Sequence, residues 1–222
     1  MNDGRVGAVG TRKYDSQVRD EAARTTRRRA VLAARELFLT RGYAATTVRE
    51  IAAAAGVSEQ TVYGRIGGKA AILKAVYDTV LAGDDEPVPM AERPEFRRMR
   101  DATDARSLLA AYAEVATRLN ARLRPVLELV HGARAVEPDL DALARTGAAE
   151  RRAGATMFAR HAVERGFVRP ELDVEGVVDL VWVLNSPEVY LLQVRENGLG
   201  DQGYRRWLAT TLELCLAPPR AG

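Results

Sequence analysis

Apolar residues recur along most of this chain at intervals of three and four, the spacing of one face of an α-helix. Over roughly residues 20–41, this stripe contains Val31, Ala34, Leu37 and Phe38. A second helical stripe begins at Lys69 and holds Ile72, Leu73, Val76, Tyr77 and Val80. No alternating strand pattern with turn signals occurs, so the sequence predicts an all-α protein.

Between these two stripes, residues 46–69 are typical of two short helices joined by a tight turn. Ala52 is small enough to let the helices meet, and Gly56 can take the positive φ of a sharp corner. Ser58 suits the N-cap of the second helix, and Val62 returns that helix to the core. The offsets predict a helix-turn-helix whose second helix lies in the major groove of DNA. An ordinary αα-hairpin would also need a short corner, but it would not explain the flanking helices.

Capping signals mark the neighbouring helix ends. Thr47 and Glu50 fit a capping box at the start of the first short helix. Gly42 suits the position after the long preceding helix, and Tyr43 can pack back on its last turn. These signals agree with the hydrophobic pattern on where the elements begin and end.

Prolines and an acidic run over residues 83–95 form the clearest break in the chain. Beyond it, a helix capped by Asp104 or Thr103 is expected, and Pro125 either kinks that helix or starts the next. Further helices are predicted from Pro138 to about 164, over 173–184, over 188–195 and over 202–216. The chain is thus divided into a basic arm over 1–19, a helix-turn-helix domain over 20–68, a connecting helix over 69–82, a linker over 83–95 and a C-terminal helical domain over 96–222.

Charge is unevenly distributed over the 222 residues. Residues 1–82 contain 14 Lys and Arg against 8 Asp and Glu, whereas the remainder contains 19 against 22. The helix-turn-helix half is therefore positive, as phosphate binding requires, and the other half is negative. The arm over 1–19 is either a disordered tail or a basic segment that follows the DNA.

Composition also indicates where the protein acts. The only cysteine is Cys215, so no internal disulfide is possible and a reducing cytoplasm is the expected setting. No stretch approaches ~18 unbroken apolar residues, and the N-terminus lacks an apolar signal region. We therefore expect a cytoplasmic protein without a membrane partner.

The chain closely resembles the DNA-binding region of the TetR/AcrR transcriptional regulators over about residues 25–82. The resemblance is carried by Ala34-Arg35-Glu36-Leu37-Phe38, Arg41-Gly42-Tyr43, Thr46-Thr47-Val48, Ile51-Ala52, Gly56-Val57-Ser58, Thr61-Val62-Tyr63 and Lys69. Two positions depart from it: Ile66 stands where the family usually has Phe, and Gly64 where it usually has a larger residue. A helical glycine costs roughly 0.5–1 kcal/mol relative to alanine and offers DNA no side chain.

Gln60 can read adenine edges, and Arg65 can pair with guanine or with phosphate. Gly64 would let the backbone approach DNA closely, and Glu59 is better explained as a partner of the helix dipole than as a cytosine contact. Thr47, Tyr63 and Lys69 match family positions that contact the DNA backbone. The full set of DNA-binding candidates is Thr47, Arg49, Ser58, Glu59, Gln60, Thr61, Tyr63, Gly64, Arg65 and Lys69.

The resemblance further implies a homodimeric repressor that leaves a palindromic operator when an unknown small-molecule effector enters the C-terminal domain. Several aromatic and polar residues are either ordinary core residues or the lining of a ligand pocket. They are Tyr77, Tyr112, His131, Met157, Phe158, Trp182 and Asn185. A wide apolar stripe on the last helices is either the core of the C-terminal domain or a two-fold dimer interface. Its members are Val183, Tyr190, Tyr204, Trp207, Leu208 and Leu212.

The sequence contains few candidates for catalytic or metal-binding residues. His131 and His161 are the only histidines, and neither has the spacing of a metal site. We therefore expect no catalytic residues, no metal and no cofactor. Two alternatives to the repressor remain: a helical regulator that has lost base specificity and acts through protein partners, and an enzyme in the C-terminal bundle.

Overall fold

The computed structural model describes residues 9–83, 88 and 92–219, with the side chains of 9–19 and 95 left out. Its helices are α1 (Val9–Arg41), α2 (Val48–Ala55), α3 (Glu59–Arg65), α4 (Lys69–Ala82), α5 (Pro94–Arg100), α6 (Ala105–Ala133), α7 (Pro138–Glu164), α8 (Val174–Leu184), α9 (Pro187–Leu191) and α10 (Gly200–Leu216), with a π-helical turn at Leu192–Glu196. The described residues contain no strand, which confirms the all-α prediction.

The chain divides into two compact units, Met1–Thr79 and Val80–Gly222. In the first unit, α1 packs on α2 and α3. Its core is built from the stripe that the sequence predicted on α1 and from apolar residues of the next three helices. The buried members are Ala30, Val31, Ala34, Phe38, Tyr43, Val48, Ile51, Ala52, Ala55, Val62, Ile72, Leu73, Ala75 and Val76.

The first helix is longer than its hydrophobic pattern indicates. It begins at Val9, not near residue 20, so residues 9–19 of the predicted arm are helical. No proline or glycine interrupts the chain from Thr11 to Arg41, so nothing stops the helix from continuing. Residues 1–8 of the arm lie outside the described residues.

The second unit is built around α6, which packs on α5, α7, α9 and α10, while α8 packs mainly on α7. Asp104 caps α6 by accepting a hydrogen bond from the backbone nitrogen of Ser107. Pro125 lies inside α6 and does not start a new helix. Pro138 opens α7 in its first turn, as predicted.

One short helix was not predicted. α5 begins at Pro94, within the segment assigned to the linker, and most of the rest of that segment (84–87 and 89–91) lies outside the described residues. Pro94 is in the first turn of α5, where proline is tolerated because the missing N–H would have no partner there. The proline that we took for a breaker thus starts a helix.

The stretch Val174–Glu196 is long and apolar enough to cross a membrane when judged by length and composition alone. The chain divides it at Asn185, where α8 ends, and at Pro187, where α9 begins. Val177, Val178 and Val181 of its first part are buried within the second unit. The same composition is typical of a core helix of a helical domain.

Candidate nucleic-acid interface

The corner between α2 and α3 has the geometry that the sequence predicted. Gly56 ends α2 with φ 64°, and its N–H donates to the carbonyl of Ala52. Ser58 caps α3 by accepting a hydrogen bond of 3.1 Å from the backbone nitrogen of Thr61. Val62 is buried against the core with 1% exposure. These contacts confirm the helix-turn-helix.

A side chain of α1 lies over this corner. A Cβ atom on Gly56 would fall 2.7 Å from an Nη atom of Arg29. Gly56 therefore serves two purposes: its positive φ turns the chain, and its missing side chain leaves room for the Arg29 guanidinium.

The start of α2 is held by Thr47 and Glu50. Glu50 accepts hydrogen bonds of 2.8 Å from both the backbone nitrogen and the hydroxyl of Thr47, and the Thr47 hydroxyl accepts one from the Glu50 nitrogen. The hydrogen bonds from Thr47 are the main cause that lowers the pKa of Glu50 below its usual value, and the nearby Arg41 guanidinium, 3.2 Å away, lowers it further. The sequence predicted the capping box but missed Arg41.

This arrangement changes the expectation for Thr47 itself. Its hydroxyl proton is donated to Glu50, so it is not available to a phosphate in this structure. By contrast, the exposed Arg49 has no hydrogen bond or ion pair within the part of the chain that is described, and neither do the amides of Val48 and Arg49. These donors at the start of α2 are the ones left for an anion.

The face of α3 opposite the core carries Gln60 and Gly64. In an α-helix, residues two positions before and after Val62 lie about 160° around the axis from it. Both are exposed, as are Glu59 and Tyr63, the latter at 53%. Gln60 makes no hydrogen bond with any described residue. α3 therefore presents an open face on the side away from the core.

Two predicted positions on α3 differ from expectation. Thr61 is half-buried, and its hydroxyl lies 2.8 Å from that of Ser58. Ile66 is only half-buried because α3 ends at Arg65 and Ile66 leaves the helical conformation with φ −129°. Arg65 is exposed and lies about 60° around the axis from Val62, at the flank of the helix.

Lys69, at the start of α4, packs against the loop between α1 and α2. Its Nζ atom lies 4.1 Å from the centre of the Tyr43 ring and donates a hydrogen bond of 3.4 Å to the carbonyl of Ala44. Tyr43 in turn contacts Phe38, with the two ring centres 5.2 Å apart. The ammonium group is thereby fixed beside the start of α2.

In the second unit, three of the predicted pocket residues come together. The rings of Tyr112 and Phe158 are 4.3 Å apart, and Asn185 donates a hydrogen bond of 3.1 Å to the Tyr112 hydroxyl. Asn120, which the sequence analysis missed, donates to the Asn185 side-chain oxygen at 2.9 Å. Burial raises the pKa of Tyr112 to about 12, so its phenol is neutral at physiological pH. We refer to Tyr112, Asn120, Phe158 and Asn185 as the amide cluster.

The other predicted pocket residues lie elsewhere. His131 and Met157 are exposed, the latter at 65%, so neither points into the core. Trp182 is half-buried, and its ring nitrogen donates to the carbonyl of Ala148 on α7. Tyr77 belongs to the first unit, where the Lys74 ammonium lies 5.7 Å from its ring centre.

Most of the predicted interface residues are core residues. Tyr190, Tyr204, Leu208 and Leu212 have no exposed surface in a single chain, so they cannot contact a partner. Tyr204, Leu208 and Leu212 lie on α10, which packs on α6, α8 and the π-helical turn, whereas Tyr190 lies on α9, which packs on α6. Of the predicted set, Val183 is 51% exposed and Trp207 is half-buried.

Comparison with known proteins identifies the first unit. Residues 31–76 match the family model described as bacterial regulatory proteins, tetR family. This match identifies residues 31–76 as a DNA-binding region of the TetR type. Two regulators from Pseudomonas putida, the probable HTH-type transcriptional regulator ArpR and the HTH-type transcriptional regulator TtgR, are each 29% identical over 207 residues, covering 90% of this chain and 95% of their own.

The fold of the chain also matches solved structures. The SmeT–triclosan complex has a TM-score of 0.65 at 19% identity, with 86% of this chain and 91% of SmeT covered. Together with the helix-turn-helix, these relationships define the chain as a DNA-binding transcriptional regulator. The relatives are regulators and not enzymes.

Proposed function

We propose that this TetR-family regulator is a homodimeric repressor that reads a palindromic operator with α3 and leaves it when a small molecule binds the second unit. The observation that carries this proposal is the open face of α3, where the exposed Gln60 and Gly64 lie opposite the buried Val62 on a capped helix. Such a protein acts in the cytoplasm, where its operator is.

Within this proposal, Gln60 reads a base edge and Arg65 contacts phosphate. An amide side chain at the centre of the outward face can make two hydrogen bonds to adenine. Arg65 lies at the flank of α3, where the DNA backbone passes when the centre of the helix faces the bases. Arg49 and the amides at the start of α2 hold a second phosphate.

The sequence-specific role needs two copies of the chain, since one α3 of seven residues covers only one half-site. Exposed apolar side chains on the C-terminal helices support a two-fold interface there. Val183, Leu192 and Leu214 are exposed to 51, 57 and 72% respectively. We propose these three side chains as interface residues in place of the buried Tyr190, Tyr204, Leu208 and Leu212.

The amide cluster supports a ligand site in the second unit. It places two aromatic rings beside two amide groups among the buried residues of α6 and α7, which suits a largely apolar small molecule with one hydrogen-bonding group. SmeT, a structural neighbour, has been solved in complex with triclosan. A ligand releases the operator only when it binds the DNA-free state more tightly than the DNA-bound state.

Selection of bound duplexes from a random library, followed by gel-shift titration, tests the DNA-reading role. We expect the wild-type chain to select a palindrome, and Gln60→Ala to lose the preference for it. Equal binding to the palindrome and to scrambled DNA would instead favour a regulator that acts through protein partners.

Sedimentation of Val183→Glu and Leu214→Glu tests the dimer. We expect both variants to dissociate and to bind the palindrome weakly, because a charge buried at an interface is costly. The control is Val136→Glu, at a position that is 78% exposed between α6 and α7. Wild-type protein that sediments as a monomer alone and with DNA would refute the dimer.

A further inference from the structure

We propose that Gly64 is a specificity-determining position whose missing side chain makes room for the 5-methyl group of a thymine in the operator. This inference rests on the proposed function, because it takes α3 as the element that enters the major groove. Gly64 lies one helical turn after Gln60 on the outward face of α3. The gap is therefore at the centre of the surface that meets the bases.

The fold does not require glycine at this position. Gly64 is not among the glycines with positive φ, and a Cβ atom added to it would meet no atom within 4 Å. Gly56 differs on both counts, because its φ is 64° and an added Cβ would collide with Arg29. Glycine destabilises a helix relative to alanine, and Gly132 is as free of folding constraints as Gly64, so what distinguishes Gly64 is its place on the outward face of α3.

The chemistry of that contact follows from what glycine offers. At Gly64 the surface consists of the two Cα hydrogens, with no side-chain donor or acceptor. A base edge that presents a donor or an acceptor would lose water there and gain no partner. The 5-methyl group of thymine is the one apolar group that the major groove presents, and it gains from being covered. A Cβ atom at residue 64 would occupy the same space.

The test compares Gly64→Ala with a matched control, Gly132→Ala. Each glycine is exposed, is the second-to-last residue of its helix and has no atom within 4 Å of an added Cβ. Both variants should therefore fold at least as stably as the wild type, which thermal unfolding checks. The DNA probes are the palindrome selected by the wild-type chain and copies of it in which each thymine in turn is replaced by deoxyuridine, which lacks the methyl group.

At one thymine in each half-site, deoxyuridine should weaken wild-type binding about fourfold. Gly64→Ala should bind the unmodified palindrome about tenfold more weakly than wild type and regain most of that loss on the deoxyuridine duplex. Gly132→Ala should match the wild type on every probe.

The inference is overturned when Gly64→Ala binds the unmodified palindrome like the wild type, or when no deoxyuridine position restores its binding. In those cases Gln60→Ala still loses the palindrome, and the proposed function stands. When the wild-type chain selects no palindrome, the proposed function fails and this inference fails with it.

Discussion

Glu50 accepts two hydrogen bonds from Thr47 through one carboxylate oxygen, which lies 2.8 Å from both the backbone nitrogen and the hydroxyl oxygen of Thr47. The start of α2 is therefore fixed before any DNA arrives. Arg41 holds the other oxygen of the same carboxylate at 3.2 Å. The end of α1 and the start of α2 are joined through this one side chain.

Replacing the capping hydroxyl should destabilise the first unit. Thr47→Val keeps the branched shape but removes the acceptor of the Glu50 amide, and we expect a loss of about 1 kcal/mol in the free energy of unfolding. Urea unfolding followed by circular dichroism measures it. The matched control is Thr40→Val, because the Thr40 hydroxyl donates to the Glu36 carbonyl within α1 and caps nothing. Equal losses for both variants would show that the capping box contributes nothing specific.

Arg65 and Gln60 should differ in what they do to DNA binding. Arg65→Ala should weaken binding to the operator and to unrelated duplexes alike, and it should reduce the salt slope of binding by about 1. Gln60→Ala should reduce only the preference for the operator. Titrations at several salt concentrations distinguish the two effects. Arg160→Ala, at an exposed position on α7, serves as the control for loss of charge. A lost base preference in Arg65→Ala would instead make Arg65 a base reader.

The amide cluster should contribute to stability through Asn185. Asn185→Ala leaves the Asn120 amide, which is only 6% exposed, without its acceptor, so we expect a loss of about 1–3 kcal/mol in the free energy of unfolding. Asn197→Ala is the control, because Asn197 makes a hydrogen bond of similar length to Gln193 at an exposed position. Urea unfolding of both variants measures the difference, and a similar small effect at both sites would contradict the prediction.

The stability of the protein should fall in alkaline solution. Burial raises the pKa of Tyr112 from 10.0 to about 12 and also raises those of Tyr190 and Tyr204. Above pH 10.0 the unfolded chain loses phenolic protons that the folded chain keeps, so the free energy of unfolding decreases as the pH rises. Melting temperatures measured at increasing pH should show this fall, and Tyr112→Phe should make it shallower. An unchanged pH profile in that variant would rule out Tyr112 as a contributor.

The sequence predicted those features that depend on neighbouring residues. The corner at Gly56 and the caps at Thr47 and Ser58 need particular residue types at short offsets, so local pattern is enough to find them. The helical segment over residues 9–19 was missed because it carries no apolar stripe. A helix can continue beyond the residues that pack on the core, so its full length cannot be found from the stripe alone. Asn120 was also missed, although it stands among the apolar residues of α6 that face the core.

The C-terminal helices show the limit of such reasoning. Tyr190, Tyr204, Leu208 and Leu212 form an apolar stripe that suits either a core or an interface. Only the packing of α9 on α6, and of α10 on α6, α8 and the π-helical turn, decides which neighbour covers each residue. The sequence contains the stripe but not the identity of the element that covers it.

Residues 20–29 of α1 differ from residues 30–41 of the same helix in their relation to folding. From Asp20 to Arg29 no side chain is buried, whereas burial begins at Ala30 and Val31. Apart from Arg29, whose guanidinium lies over the corner at Gly56, substitutions in this stretch change the surface and leave the core untouched. Four of its residues are arginines. Replacing residues in this stretch would therefore alter the charge of a possible binding surface with little loss of buried contacts.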